Sequence, residues 1–541
     1  MPEMPKDRTA RTWWRDGTLY QIYPRSYADT NGDGVGDLRG IIERLDHLQW
    51  LGVEGIWLDP VMPSPNTDWG YDVADYCDVD PSLGTLADAE TLVEEAARRN
   101  IRIVFDLVPN HTSDRHPWFV DARSSRDARY RDYYVWRDPK PDGGPPNNWA
   151  NAFNPSEPSW TFDEHTGQYY LNSFLPSQPD LNWWNPAVRD EFDRILRFWF
   201  DRGVAGFRID VVHMLVKDAE LRDNPPSEPD DHWFVRLRGQ RQVYNAVQPG
   251  THDVLRRWRK ICDEYDPPRV LIGETHVHDF DLLASFYGAG DELNLAFNFL
   301  LLHAPFDAAA LRAVVEGTEA ALPEGGWPVW TLGNHDTNRF TTRWAAGDPA
   351  KTRCALVMLM GLRGTPFLYY GDEICMPDTP IPRDRILDPV GVMFDGRFGR
   401  DPERTPMQWT PAPGGGFSEP GVEAWLPYGD AAAHNVSDQR HDPASVLSLT
   451  RDLIGLRDAI PELRNGDYRS LPSDNAGVWA WQRGERVVVA CNLSDTDALI
   501  DGVHGTIRIA TDRGRDDEVL DGTLHLAPWQ AVIVFASANA V

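Results

Sequence analysis

Apolar positions along this chain switch repeatedly between two spacings. Residues 17–27 read as a strand, 38–51 place Ile41, Ile42, Leu45 and Leu48 on one helical face, and 53–58 return to a strand-like run. The alternation continues with a helix over 86–99 and an almost wholly apolar strand over 101–108. It resumes at 186–200 and 204–209, then 252–263 and 270–273, and then a strand near 293–299. Next come 308–321 and 329–332, 351–361 and 366–370, and a last helix over 445–457. Eight short strands separated by helices predict a parallel sheet closed into a (β/α)8 barrel, an α/β fold whose reactive residues sit at the C-terminal strand ends.

Three stretches break the rhythm. Residues 112–183 are rich in Pro, Asn, Trp and Tyr and predict an irregular inserted subdomain. Residues 216–250 and 375–430, dense in Pro and charge, predict loops over the barrel mouth. From 462 to 541 the pattern changes to period two, which predicts a C-terminal antiparallel β domain of sandwich type. The barrel is then expected over 1–111 and 184–461.

Composition narrows the partners. Net charge is −30, from 83 acidic against 53 basic residues, which argues against nucleic acid or an anionic membrane and for a neutral ligand. The 22 Trp and 17 Tyr exceed what a core needs, and flat rings suit sugar faces. Five dispersed cysteines without CxxC or zinc spacing predict free thiols in a reducing compartment. With no apolar leader or membrane-length run, a cytoplasmic, soluble protein is expected, as a monomer or homodimer.

The chemistry collects at strand ends. The fourth strand finishes Arg208-Ile-Asp210, where alternation puts the guanidinium on the same side as the carboxylate it could keep ionised. An isolated RxD is equally a structural ion pair, but others surround it: Asp106-Leu-Val-Pro-Asn-His111, Ile272-Gly-Glu274 and Gly333-Asn-His335-Asp336. Acids without a metal-spaced helix, phosphate loop or Ser/Cys elbow suggest glycosidic-bond cleavage, with carboxyl groups about 5–5.5 Å apart for retention. Glu274 has no cationic neighbour in sequence and is expected to stay protonated. A separate loop, 29–37, alternates oxygen donors: side chains of Asp29, Asn31, Asp33 and Asp37 and the Val35 carbonyl. That pattern suits a hard divalent cation, calcium first and magnesium second.

The motifs DLVPNH, GFRID, IGET and LGNHD, with GIWLDPVMPSP, QPDLN and GTPFLYYGDE, stand in an order and spacing that resembles glycoside hydrolase family 13, the α-amylase family. The resemblance runs from about Thr12 to the chain end and lies nearest its oligo-1,6-glucosidase and α-glucosidase branch. It implies Asp210 as nucleophile, Glu274 as general acid/base and Asp336 as a third acid gripping sugar hydroxyls. It also implies His111 and His335 as hydroxyl partners, Asp68 and Arg400 as the closed end of a one-glucose pocket, Tyr71 stacking beneath that glucose, and Phe153, Phe174 and Gln178 along the approach. The metal loop matches the family's first barrel loop, implying a structural ion and no organic cofactor. The implied activity is a retaining exo-α-glucosidase acting on small oligosaccharides. Alternatives are a sucrose isomerase or glucosyltransferase with the same acids, and a non-catalytic transporter partner, which lacks the acids and carries a membrane helix. Val211, after the nucleophile, looks like the α-1,6-tolerant members, whereas Val212-His213 departs from their usual run.

Overall fold

A computed structural model describes residues 11–536. Residues 1–10 and 537–541, the outer ends of the expected first and last domains, lie outside the described residues. The expected barrel strands are β1 Leu19–Ile22, β2 Gly55–Leu58, β3 Arg102–Leu107, β4 Gly206–Ile209, β5 Val270–Gly273, β6 Leu295–Ala296, β7 Val329–Thr331 and β8 Thr365–Tyr369. All pair in parallel in the order β7-β8-β1-β2-β3-β4-β5-β6. A single bridge, Phe297 to Val329, links the two ends.

Two strands are shorter than the pattern predicts, and both stop for a local reason. Pro24 opens a single 3-10 turn, Pro24–Ser26, which ends β1. Asn298 caps the helix Phe299–Leu302 by accepting from the Leu300 and Leu301 amides, which ends β6.

Alternation along the strands sorts the barrel interior by height. Leu19, Trp57, Val104, Val270, Ile272, Leu295, Val329 and Phe367 form one buried apolar cluster. One pleat further on, the same faces carry Gln21, Asp59, Asp106 and Glu274. Gly206 occupies the low position on β4, where a Cβ would come within 2.3 Å of the Val270 carbonyl oxygen. That leaves Arg208 and Asp210 as the inward groups of β4.

The amphipathic helices Leu38–Leu51, Leu86–Arg98, Pro186–Phe200, Pro249–Cys262 and Ala308–Ala321, with the almost wholly buried Pro349–Gly361, supply the other side of a large second core. Residues 112–183 hold a small three-stranded sheet of Trp136–Arg137, Gln168–Leu171 and Trp160–Asp163. The C-terminal strands are joined in one six-stranded antiparallel sheet whose own side chains enclose a separate buried apolar cluster. Its longest strand, Ala498–Ala510, pairs on both sides with register shifts after Asp501 and Ile507 that bend it. This sheet docks on the helix Pro349–Gly361, where Trp481 Nε1 and Arg483 both donate to the Gly361 carbonyl. All five cysteines are free thiols. Among the described residues no helix is long and apolar enough to cross a membrane.

Candidate active site

Strand register brings the two central acids side by side. Arg208 pairs with Ile272 and Ile209 with Gly273, so the next residues, Asp210 and Glu274, stand on adjacent staves, about 4.8 Å apart in the pairing direction. Arg208 forks between them, donating from Nη1 to Asp210 Oδ1 at 2.9 Å and from Nη2 to Glu274 Oε2 at 2.5 Å. Below, Nη1 also meets Asp106 Oδ1 and Oδ2 at 3.0 and 2.9 Å. The expectation that Glu274 lacks a cationic partner is therefore corrected: the long arginine side chain reaches across one strand, which spacing along the chain does not reveal.

One guanidinium facing three buried carboxyls leaves surplus negative charge. Burial, opposed by Arg208, raises Asp106 to about 7, and burial together with the charge of Glu274 raises Asp210 well above the ordinary carboxylate range. Between the two acids, Val211 adopts left-handed backbone angles (φ 35°, ψ 45°), costly for a β-branched residue. Its amide donates to Glu274 Oε2 at 3.1 Å. The strained turn fixes the Glu274 carboxyl from the side opposite its own strand.

A second network closes one end of the site. Arg400 Nη2 binds Asp68 Oδ1 at 2.5 Å, its Nη1 lies 3.2 Å from Asp336 Oδ1, and its Nε binds Asp388 Oδ1 at 2.8 Å. Arg404 adds a 2.6 Å bond to Asp336 Oδ1 and one of 2.7 Å to the His335 carbonyl. Burial raises Asp68 to about 6 against the pull of Arg400. Asp336 goes the other way: its burial is outweighed by His335, Arg400 and Arg404, which hold it well below the usual range, although a third of its side chain is open to solvent, which tempers the effect.

Tyr71 stacks face to face on His335 at 5.1 Å, and its hydroxyl donates to Asp106 and Asp59. His335 Nδ1 meets Gln21 Nε2 at 2.8 Å, whereas its buried Nε2 has no hydrogen-bond partner and lies 3.4 Å from Asp336 Oδ2. Burial pushes His335 well below its usual pKa and His111 to about 4, so both rings are neutral. Phe153 and Phe174 pack edge to face at 5.1 Å, with Arg400 over Phe153 and His111 beside Phe174. Gln178 departs from expectation. It is fully buried and lines no approach; it supports the wall from behind, donating to Asp68 Oδ2 at 3.0 Å and to the Tyr71 carbonyl.

Sequence reading passed over several participants. Asp106 already stands among the strand-end acids, and Asp59 and Gln21 follow from the same period-two alternation once the inward face is known. Asp388 and Arg404 sit in the loop excursion, where no periodicity marks them. Buried Lys217 bridges Asn110 and Asp180 at 2.5 and 2.8 Å, tying the loop after β3 to the loop after β4.

The 29–37 loop lies apart from this site. Asp29 accepts from the Asn31, Gly32 and Gly34 amides and from Ser418 Oγ, Asp33 from the Val35 amide, and Asp37 from Thr30 and the Gly40 amide, the last as a helix N-cap. Its donor set is all oxygen, as a hard cation requires. Three acids of this loop do not converge within 4.8 Å as they stand. Asn31 and Asp33 are exposed and bonded to each other, Asn31 Nδ2 donating to Asp33 Oδ2 at 3.1 Å.

Known proteins match this geometry and its order along the chain. Residues 21–466 fit the family model described as the α-amylase catalytic domain. A probable alpha-glucosidase of Rhizobium meliloti is 39% identical, with 96% of each chain covered. An oligo-1,6-glucosidase of Heyndrickxia coagulans is 36% identical, covering 97% of this chain and 99% of that one. Among solved structures, the alpha-glucosyl transfer enzyme XgtA superposes with a TM-score of 0.91 at 38% identity, over 97% of this chain and 99% of its own. With that match spanning most of the barrel and these relatives nearly the whole length, the chain belongs to the α-amylase family, glycoside hydrolase family 13.

Proposed function

We propose that this protein is a retaining exo-α-glucosidase that takes one α-glucose from the non-reducing end of maltose, short malto-oligosaccharides or isomalto-oligosaccharides. The observation that carries this reading is the Arg208 fork joining Asp210 and Glu274, together with the second network in which Arg400 binds both Asp68 and Asp336. Asp210 attacks the anomeric carbon while Glu274 protonates the departing oxygen; Glu274 then takes a proton from water as the glucosyl–Asp210 ester is cleaved. Asp336, kept ionised by two arginines, grips sugar hydroxyls, and the unpartnered Nε2 of His335 completes that grip. His111 serves another hydroxyl, Tyr71 backs the ring, and Phe153 and Phe174 flank the approach. The Asp68–Arg400 pair bars a longer chain from extending past the first glucose.

The similarity to an alpha-glucosyl transfer enzyme favours a second reading, glucosyl transfer or sucrose isomerisation with the same acids, in which an acceptor other than water resolves the ester. Glucose release from maltose, isomaltose, sucrose and an aryl α-glucoside separates these. Free glucose from the first two supports hydrolysis; disaccharide isomers alone from sucrose support transfer; wild-type rates in both Asp210→Asn and Glu274→Gln refute the shared chemistry.

The 29–37 loop is proposed as a calcium site, through Asp29, Asn31, Asp33, the Val35 carbonyl and Asp37, with a structural role on the outside of the barrel. Residues 112–183 are proposed as an inserted domain that supplies one side of the pocket, with 375–430 supplying the other and 462–541 as a supporting β domain. A neutral small sugar as partner and a cytoplasmic setting fit the charge and the free thiols.

A further inference from the structure

We propose that His276, His278 and His303 form a binding site for a late divalent transition-metal ion, zinc foremost, on the barrel rim two residues beyond Glu274. One nitrogen from each ring lies within 4.8 Å of the others, the only such convergence of metal-binding side chains among the described residues. Four ring nitrogens here, His276 Nε2, His278 Nδ1 and Nε2 and His303 Nδ1, are buried without a hydrogen-bond partner. Buried polar nitrogens are ordinarily satisfied, and each neutral ring has one lone pair to offer, so the three rings present three unused lone pairs in one place, while the second nitrogen of His278 is an N–H. Imidazole is a borderline-soft donor that suits zinc, copper or nickel and is a poor ligand for calcium or magnesium.

Zinc–nitrogen bonds of about 2.0–2.1 Å in a tetrahedron place ligand nitrogens about 3.3 Å apart, so the present spread needs to close by no more than about 1.5 Å. The elements can supply that: His276 and His278 lie on the loop after β5, and His303 is the C-cap of the short helix Phe299–Leu302. Three ligands leave a fourth position for water. Two cations oppose a bound ion: Arg238, packed over Phe234, whose ring lies against His276 and His278, and Arg343, whose charge acts on His303. An ion here would tie the loop that follows Glu274 to the helix that follows β6.

The test uses full-length, tag-free protein stripped by a chelator and then titrated with Zn2+ against a chromophoric competitor, and separately with Co2+ by visible absorption. The expected result is one equivalent of tight zinc and intense Co2+ bands of tetrahedral character. His276→Gln, His278→Gln and His303→Gln should each weaken zinc by at least the 10- to 100-fold that losing even an outer-sphere partner costs. Arg238→Gln should tighten it, and Asp33→Ala in the remote loop should leave it unchanged. The proposal is overturned if the wild-type protein takes up no zinc equivalent, or if all three histidine variants keep the wild-type zinc affinity. The cobalt spectrum of the wild type decides the matter even if a variant misfolds: weak octahedral bands alone contradict the site.

Discussion

Two sides of the barrel mouth are built on opposite principles. On the closed side, Asp68, Asp336, Asp388, Arg400 and Arg404 bind one another through a dense set of short contacts. On the rim, His276, His278 and His303 stack among themselves and on Phe234 and Phe299, with four nitrogens unpartnered. The charged wall is rigid because breaking any pair strands a buried charge, at a cost of about 3–5 kcal/mol. The rim has little to lose by moving. A family whose members share their central acids and differ in acceptor needs that division: a fixed end that recognises one glucose, and an adaptable end where the rest of the substrate leaves.

The comparison breaks most visibly at the centre that both sides serve. Asp210→Asn should lower kcat by about 10^4-fold or more on every glucoside, as removing a nucleophile does in other covalent mechanisms. Glu274→Gln should cost about 10^2- to 10^4-fold on maltose but far less on a nitrophenyl α-glucoside in single-turnover measurements, because a good leaving group needs no proton. Equal losses on both substrates would detach Glu274 from acid catalysis.

On the wall, Arg400→Met should reduce kcat/KM for maltose by roughly 200- to 5,000-fold, the kinetic equivalent of about 3–5 kcal/mol. Combined with Asp68→Asn it should cost little more than either alone, since the second change removes a charge the first has stranded. Additive losses would mean that the two residues act separately.

The pH profile sharpens the same contrast. Asp68 and Asp106 are raised from the usual carboxylate value to about 6 and about 7, so both take up protons as pH falls through that range. Their protonation loosens Arg400 and Arg208, and kcat/KM should fall on an acid limb near pH 6 to 7. His111 and His335 titrate lower and cannot produce that limb. For folding the sign is the reverse: a raised acid favours the folded chain at low pH, and that contribution is lost as pH rises through 6 to 7. Activity that stays level down to pH 4.5 would contradict the assignment. The smallest effect is expected furthest from the mouth: calcium at about 100 times its dissociation constant should stabilise the fold by about 2.7 kcal/mol, and Asp33→Ala should weaken that response with little change in kcat.

Much of this was legible in the residues, and the part that was not has a common cause. Strand ends such as Arg208-Ile-Asp210 and Ile272-Gly-Glu274 announce themselves because period-two alternation fixes which groups face inward. The same rule would have picked out Asp59 and Gln21. What alternation does not report is reach across strands: Arg208 serves Glu274 on the next stave, 66 residues away, and Gln178 slides behind Asp68 instead of lining a path. Asp388 and Arg404 lie in a loop excursion, where neither spacing nor local composition separates a structural charge from a solvated one. The histidine group was invisible for the same reason. His276 and His278 are neighbours in sequence, but His303 joins them only because β6 is cut short by the Asn298 cap and the chain turns back as a helix over the rim.

The most direct test of the central claim is to locate the covalent intermediate. Glu274→Gln enzyme, treated with an α-glucosyl fluoride and quenched in acid, should yield one glucosylated peptide by mass spectrometry, with the sugar esterified to Asp210. A label on any other residue, or turnover of the fluoride to β-glucose with no labelled peptide, would contradict the account.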